Sequence, residues 1–112
     1  MSRRAEASLK APAPVFAALG DETRLGLVKR LCSTGPQSIA RLSEGSGVTR
    51  QAITKHLHVL EGAGLVHARR TGRESIWELE PKRIVEARRA LEQISAQWDD
   101  ALERLRTWVE DE

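Results

Sequence analysis

The chain has 112 residues, a single cysteine, no tyrosine and a formal net charge of only +2. One cysteine excludes an internal disulfide framework, the length suits one domain rather than two lobes around a cleft, and no run of about 18 apolar residues offers a membrane span. The charged opening, Met1-Ser2-Arg3-Arg4-Ala5-Glu6, leads into no apolar stretch of the signal-peptide kind, so a soluble, cytoplasmic domain is expected.

The first dozen residues are polar and run into Pro12 and Pro14, which predicts a flexible segment over 1–12 ahead of a folded domain over 13–112. Val15-Phe16-Ala17-Ala18-Leu19 reads as a short apolar helix ended by Gly20. Asp21 is a good N-cap for the next helix, with Glu22 in the first turn favourable to the helix dipole. Leu25, Val28, Leu31 and Cys32 recur at helical spacing and are expected to face inward, with Arg24, Lys29 and Arg30 outside. Ser33-Thr34-Gly35-Pro36 stops this helix. A short helix follows around Ile39–Glu44, then Gly45-Ser46-Gly47 turns the chain.

Thr49 caps a third helix to about Gly62, with Ile53, Leu57 and Leu60 as its inner stripe and Gln51, Thr54, Lys55 and His58 opposite. Leu65–Arg70 and Glu74–Leu79 read as two strands joined at Thr71-Gly72-Arg73. Pro81 then opens a final helix over about 81–110. Ile84, Leu91, Trp98 and Leu105 repeat every seven residues, as do Ala87, Ile94, Ala101 and Trp108, offset by three; Leu102 and Val109 widen the stripe. That is a heptad seam, and two indoles left exposed on it would be an aggregation liability. It is expected to pair with the same helix of a second copy.

The near-neutral total conceals a gradient. Through Arg73 there are twelve Lys/Arg against five acids, a net +7; from Glu74 onward six bases meet eleven acids, a net −5. A basic half of this kind suits a polyanion. Helix, short helix, glycine turn and helix make a helix-turn-helix, and a basic hairpin directly after it makes a winged one, in a mainly α fold with a small β-hairpin. The recognition-helix candidates are Arg50, Gln51, Thr54, Lys55 and His58. Gln51 can make a two-point contact with adenine, Lys55 can reach guanine or phosphate, and Thr54 can touch a thymine methyl or phosphate. Arg50 and His58 suit phosphate. Arg69, Arg70 and Arg73 form a basic wing for phosphates or the minor groove.

Three stretches resemble the ArsR/SmtB family of winged helix-turn-helix repressors: Ala18-Leu19-Gly20-Asp21-Glu22-Thr23-Arg24, the span from Val48 to Val66, and Arg70-Thr71-Gly72-Arg73 through Trp77-Glu78-Leu79. The resemblance covers about residues 15–110 and implies a homodimeric repressor on an inverted-repeat operator. His56 matches a family position that supports the recognition helix. The family's metal-sensing patterns are not matched: Cys32 is followed by Ser33-Thr34 where a Cys-x-Cys cluster would stand, and the terminal helix carries Asp99 and Asp100 but no histidine. With His56 and His58 diverging and His67 on a strand, no metal site, and no cofactor, is expected; the resemblance is to a branch that senses no metal.

Cys32 reads either as a small buried apolar residue or as a thiol switch that would release the repressor on oxidation. A protein-interaction module using the long helix is a further reading of the same sequence. No paired carboxylates, Ser/His/Asp set or phosphate-cradling glycine loop supports an enzyme. The sequence names no small-molecule effector.

Overall fold

The computed structural model describes residue 10 and residues 12–110; apart from Lys10 and Pro12, the segment expected to be flexible lies outside the described residues. Three of the helices start where a side chain takes up a free backbone N–H. Helix α1 (Ala13–Leu19) opens on prolines, which lack the N–H that would need a partner there. Helix α2 (Glu22–Thr34) is capped by Asp21, whose carboxylate accepts the Arg24 backbone N–H at 3.0 Å. Helix α3 (Ile39–Ser43) is capped by Ser38. Gly45 and Gly47, at φ 68° and 72°, turn the chain through left-handed conformations that a Cβ resists. Thr49 Oγ1 then accepts the Ala52 N–H at 3.1 Å and starts α4 (Arg50–Gly62).

Strands β2 (Val66–Thr71) and β3 (Glu74–Leu79) form the hairpin, and α5 (Pro81–Glu110) follows. A third strand was not legible in the sequence. Gln37 and Ser38, β1, pair antiparallel with Trp77 and Ile76, giving a sheet in the order β1-β3-β2. Two residues are too few to leave an alternating pattern. The architecture is mainly helical with a small antiparallel sheet, a winged helix-turn-helix with a long terminal helix. No helix among the described residues is long and apolar enough to cross a membrane.

The core gathers Val15 and Ala18 of α1, Leu27 and Leu31 of α2, Leu42 of α3, Ile53, Leu57 and Leu60 of α4, Leu65, Val66 and Trp77 at the sheet, and Ala87 of α5. The stripe on α4 is as expected. That on α2 is displaced. Leu27 is buried, while Leu25 is 45% exposed and Cys32 is exposed. Leu25, Leu27, Val28, Leu31 and Cys32 spread over a wide arc of the helix; Leu27 and Leu31 are buried and Val28 packs against the core, while Leu25 and Cys32, seven apart, share the outward edge. Cys32 is therefore not a buried apolar residue. Two of the three cations expected outside, Arg24 and Arg30, fold back instead. Arg24 Nε donates to Ala18 O at 2.6 Å, and Arg30 Nη1 donates to Leu42 O at 3.1 Å and Glu44 O at 3.2 Å.

Helix α5 leaves the body. The chain extends 66 × 31 × 20 Å, and its radius of gyration is 18.4 Å, against about 13 Å for a compact chain of this length. Ala87 and Ala90 are buried and Ile84 packs on the core, but from Leu91 to Glu110 no side chain is buried. Ile84 and Ala87, the first two of the eight residues expected at a dimer seam, thus serve this chain's own core. The remaining six begin at Leu91.

Candidate nucleic-acid interface

Helix α4 is held from below by Ile53, Leu57 and Leu60, all at 0% exposure. Its outer side carries Arg50, Gln51, Lys55 and His58, all exposed, with Thr54 half-buried. The Thr54 hydroxyl donates to Arg50 O at 2.8 Å, so its only proton is spent on the helix and the methyl group is what it offers outward. His58 sits two turns beyond Gln51. Its Nδ1 is 3.2 Å from Glu61 Oε1, and its ring stands edge-to-face with Trp77 at 5.6 Å and 81°. It marks the junction of recognition helix and wing rather than the leading end of the reading surface.

The hairpin sorts its arginines by strand alternation. Ala68 lies opposite Trp77, Arg69 opposite Ile76 and Arg70 opposite Ser75, and residues directly opposite in an antiparallel pair share a face. Trp77 is 3% exposed, turned toward the core, with its indole N–H unpartnered. Arg70 therefore belongs to the face of the sheet on the α4 side. Arg69 belongs to the other, where its Nε is 3.4 Å from Glu78 Oε1. Arg73 stands at the tip beside Gly72. The wing does not present three equivalent cations: Arg70 and Arg73 are without a carboxylate within 4 Å among the described residues, as are Arg50 and Lys55, while Arg69 is paired. The pairing was not inferred from the sequence, although a His67–Glu78 register would have suggested it.

A second set of residues ties α4 to α2. Arg24 Nη1 lies 3.3 Å from His56 Nδ1, and Asp21 Oδ2 lies 3.8 Å from the same nitrogen. The His56 ring thus faces the guanidinium and the carboxylate together through one nitrogen. This places His56 behind the recognition helix, in the supporting role that the family resemblance implies.

The backbone N–H of Arg24 holds the Asp21 carboxyl below the usual carboxylate range, against a smaller opposing desolvation; the Arg24 guanidinium and His56 add to the lowering. A carboxyl lowered in the folded state contributes stability that is present above its unfolded value and lost as pH falls through the folded one. Thermal unfolding followed from pH 6 down to pH 3 is expected to show this loss, and Asp21→Asn to flatten the acid limb. An unchanged acid limb in Asp21→Asn would remove the assignment.

Among the described residues no three of His, Cys, Asp and Glu come together as metal ligands.

With this geometry in hand, comparison with known proteins is specific. Residues 19–69 match the model of a helix-turn-helix domain family. The HTH-type transcriptional regulator Rv2034 of Mycobacterium tuberculosis is 33% identical over 93 residues, covering 83% of each chain. An ArsR-like transcriptional regulator from Rhodococcus sp. RHA1 superposes with a TM-score of 0.73 at 37% identity, over 90% of this chain and 94% of that one. A homodimeric winged helix-turn-helix DNA-binding domain from Mycobacterium bovis, a possible ArsR-family regulator, gives 0.65 at 28% identity, over 87% and 88%.

Proposed function

Because the chain belongs to the ArsR family of winged helix-turn-helix transcriptional regulators, DNA-binding proteins rather than enzymes, we propose that it is a homodimeric cytoplasmic repressor that reads an inverted-repeat operator and needs no metal. One observation carries the reading most of the way. Arg50 and Lys55 on the recognition helix and Arg70 and Arg73 on the wing are exposed and, among the described residues, without an acidic partner, while an apolar stripe leaves the body along α5. The first feature suits phosphate; the second suits a second copy. Two reading helices joined this way address half-sites about 34–36 Å apart on one side of the duplex. The homodimeric relative from Mycobacterium bovis supports the same assembly. Independence of metal rests on Cys32 standing before Ser33-Thr34 and on the lack of histidine in the terminal helix.

In this arrangement Gln51 reads a base edge, Lys55 a guanine or phosphate, and Thr54 a thymine methyl; Arg50, Arg70 and Arg73 hold phosphates. Arg69 contributes through its pair with Glu78, and His58 through its contact with Trp77. Selection of bound sequences from a random DNA pool is expected to return a two-fold symmetric site with half-sites one helical turn apart. Gln51→Ala is expected to relax preference at one base position by about 1–3 kcal/mol, and Arg73→Ala to weaken all sequences alike while lowering the salt slope by about one. An asymmetric or unspecific pool, or equal loss on operator and random DNA for Gln51→Ala, would overturn these roles.

A further inference from the structure

His67 is not among the residues expected to meet DNA, yet it stands within ion-pair distance of two carboxylates. It stands on the face of the hairpin that carries Arg69 and Glu78, opposite to Trp77. Its Nε2 is 2.8 Å from Glu78 Oε1, and its Nδ1 is 3.2 Å from Glu80 Oε2. Nδ1 is shut off from water and has no hydrogen-bond partner, although the Glu80 carboxylate lies within ion-pair distance. A neutral ring turns a lone pair toward one of these carboxylates; only the doubly protonated ring offers a proton to both.

The surroundings are defined on every side. From β3 comes Glu78, shared with Arg69 of the same strand as His67 at 3.4 Å. From the link into α5 comes Glu80, whose backbone N–H is fixed on Leu65 O at 2.8 Å. In the first turn of α5, Arg83 is turned to Glu86 at 2.9 Å. On α4, His58 and Glu61 pair with each other on the Trp77 side of the sheet.

We propose that His67 is a positioning residue of the wing: as an imidazolium bridging Glu78 and Glu80 it fixes the hairpin against the start of α5, and its proton strengthens the hold on DNA. The inference rests on the DNA-binding reading above. With the ring charged, His67 and Arg69 balance the two carboxylates. With the ring neutral, one uncompensated negative charge remains at the root of an element that works against phosphates, and the Glu80 arm of the bridge is lost. The wing's rigidity and the affinity for DNA are therefore both greater when the ring carries its second proton.

The test uses the full-length protein, with ¹⁵N relaxation of the wing amides in the free state and affinity for the selected operator, each at pH 6 and pH 8. In the wild type the wing is expected to be stiffer at pH 6, and the pH 6 to pH 8 affinity ratio to exceed that of His67→Gln by about fivefold, the low end of coupling between sites. His67→Arg, which can donate to both carboxylates at every pH, is expected to keep the wing stiff and the affinity high throughout. Glu80→Gln, which keeps the ring and removes one arm, moves both readouts in the direction of His67→Gln. Equal affinity ratios and equal relaxation in wild type and His67→Gln would overturn the proposal. If no DNA binds at either pH, the DNA-binding reading fails, while the relaxation data still decide whether the bridge holds the wing.

Discussion

Replacing Trp98 and Leu105 together by aspartate is expected to convert the protein to a monomer and to weaken binding to a two-half-site DNA by about a hundredfold or more. Trp98 is 65% exposed and Leu105 54%, and they stand seven apart on a helix whose last twenty residues bury nothing within the chain. Two carboxylates in the seam would have to lose their water on pairing, with no partner to repay the loss. The fold of the body does not depend on them, because its contact with α5 ends by Ala90. Circular dichroism should therefore report a folded chain. The affinity loss follows from linkage: once one reading head is bound, the second meets its half-site at the effective concentration the dimer provides, and this is worth roughly 10²–10⁴. A variant that still elutes as a dimer would assign the exposed stripe to another task.

Leu57→Ala is expected to cost about 3 kcal/mol of folding stability, within the 2–5 kcal/mol found for large-to-small changes at closed sites. Leu57 is at 0% exposure and lies between Ile53 and Leu60 on the face by which α4 sits on the body. Against a total of about 5–15 kcal/mol for a domain this size, that is a large fraction, and thermal unfolding at fixed protein concentration should shift by roughly 10–20 °C. Below the transition the reading side chains are untouched, so DNA affinity at low temperature should change far less than stability. A loss under about 1 kcal/mol would mean that the site collapses around the missing atoms.

These expectations draw on features of uneven legibility. The caps at Asp21 and Thr49, the Ile53/Leu57/Leu60 stripe, the hairpin at Gly72 and the span of the last helix were all readable, because each is local: a side chain answers a backbone group or a neighbour a few residues away. The face of α2 was not. Five apolar positions on a thirteen-residue helix allow more than one inward direction, and only packing on α1 and α4 selects Leu27 over Leu25. The wing was half legible. Its basic character is composition, but which of its arginines is paired depends on a cross-strand register that sets Glu78 beside His67 and Arg69. The heptad series could not by itself be divided between two duties, and the division falls where α5 parts from the body, between Ala90 and Leu91.

That parting point gives α5 a mechanical meaning. Twenty unsupported residues make an arm of about 30 Å, close to the distance between successive half-sites on a duplex. Were two such arms to cross, a change of about 10° in the crossing would sweep each reading head through roughly 5 Å, more than one base-pair step. Whatever adjusts the crossing, through a bound molecule or a single substitution, could then take the protein out of register with its site without touching a residue that meets DNA.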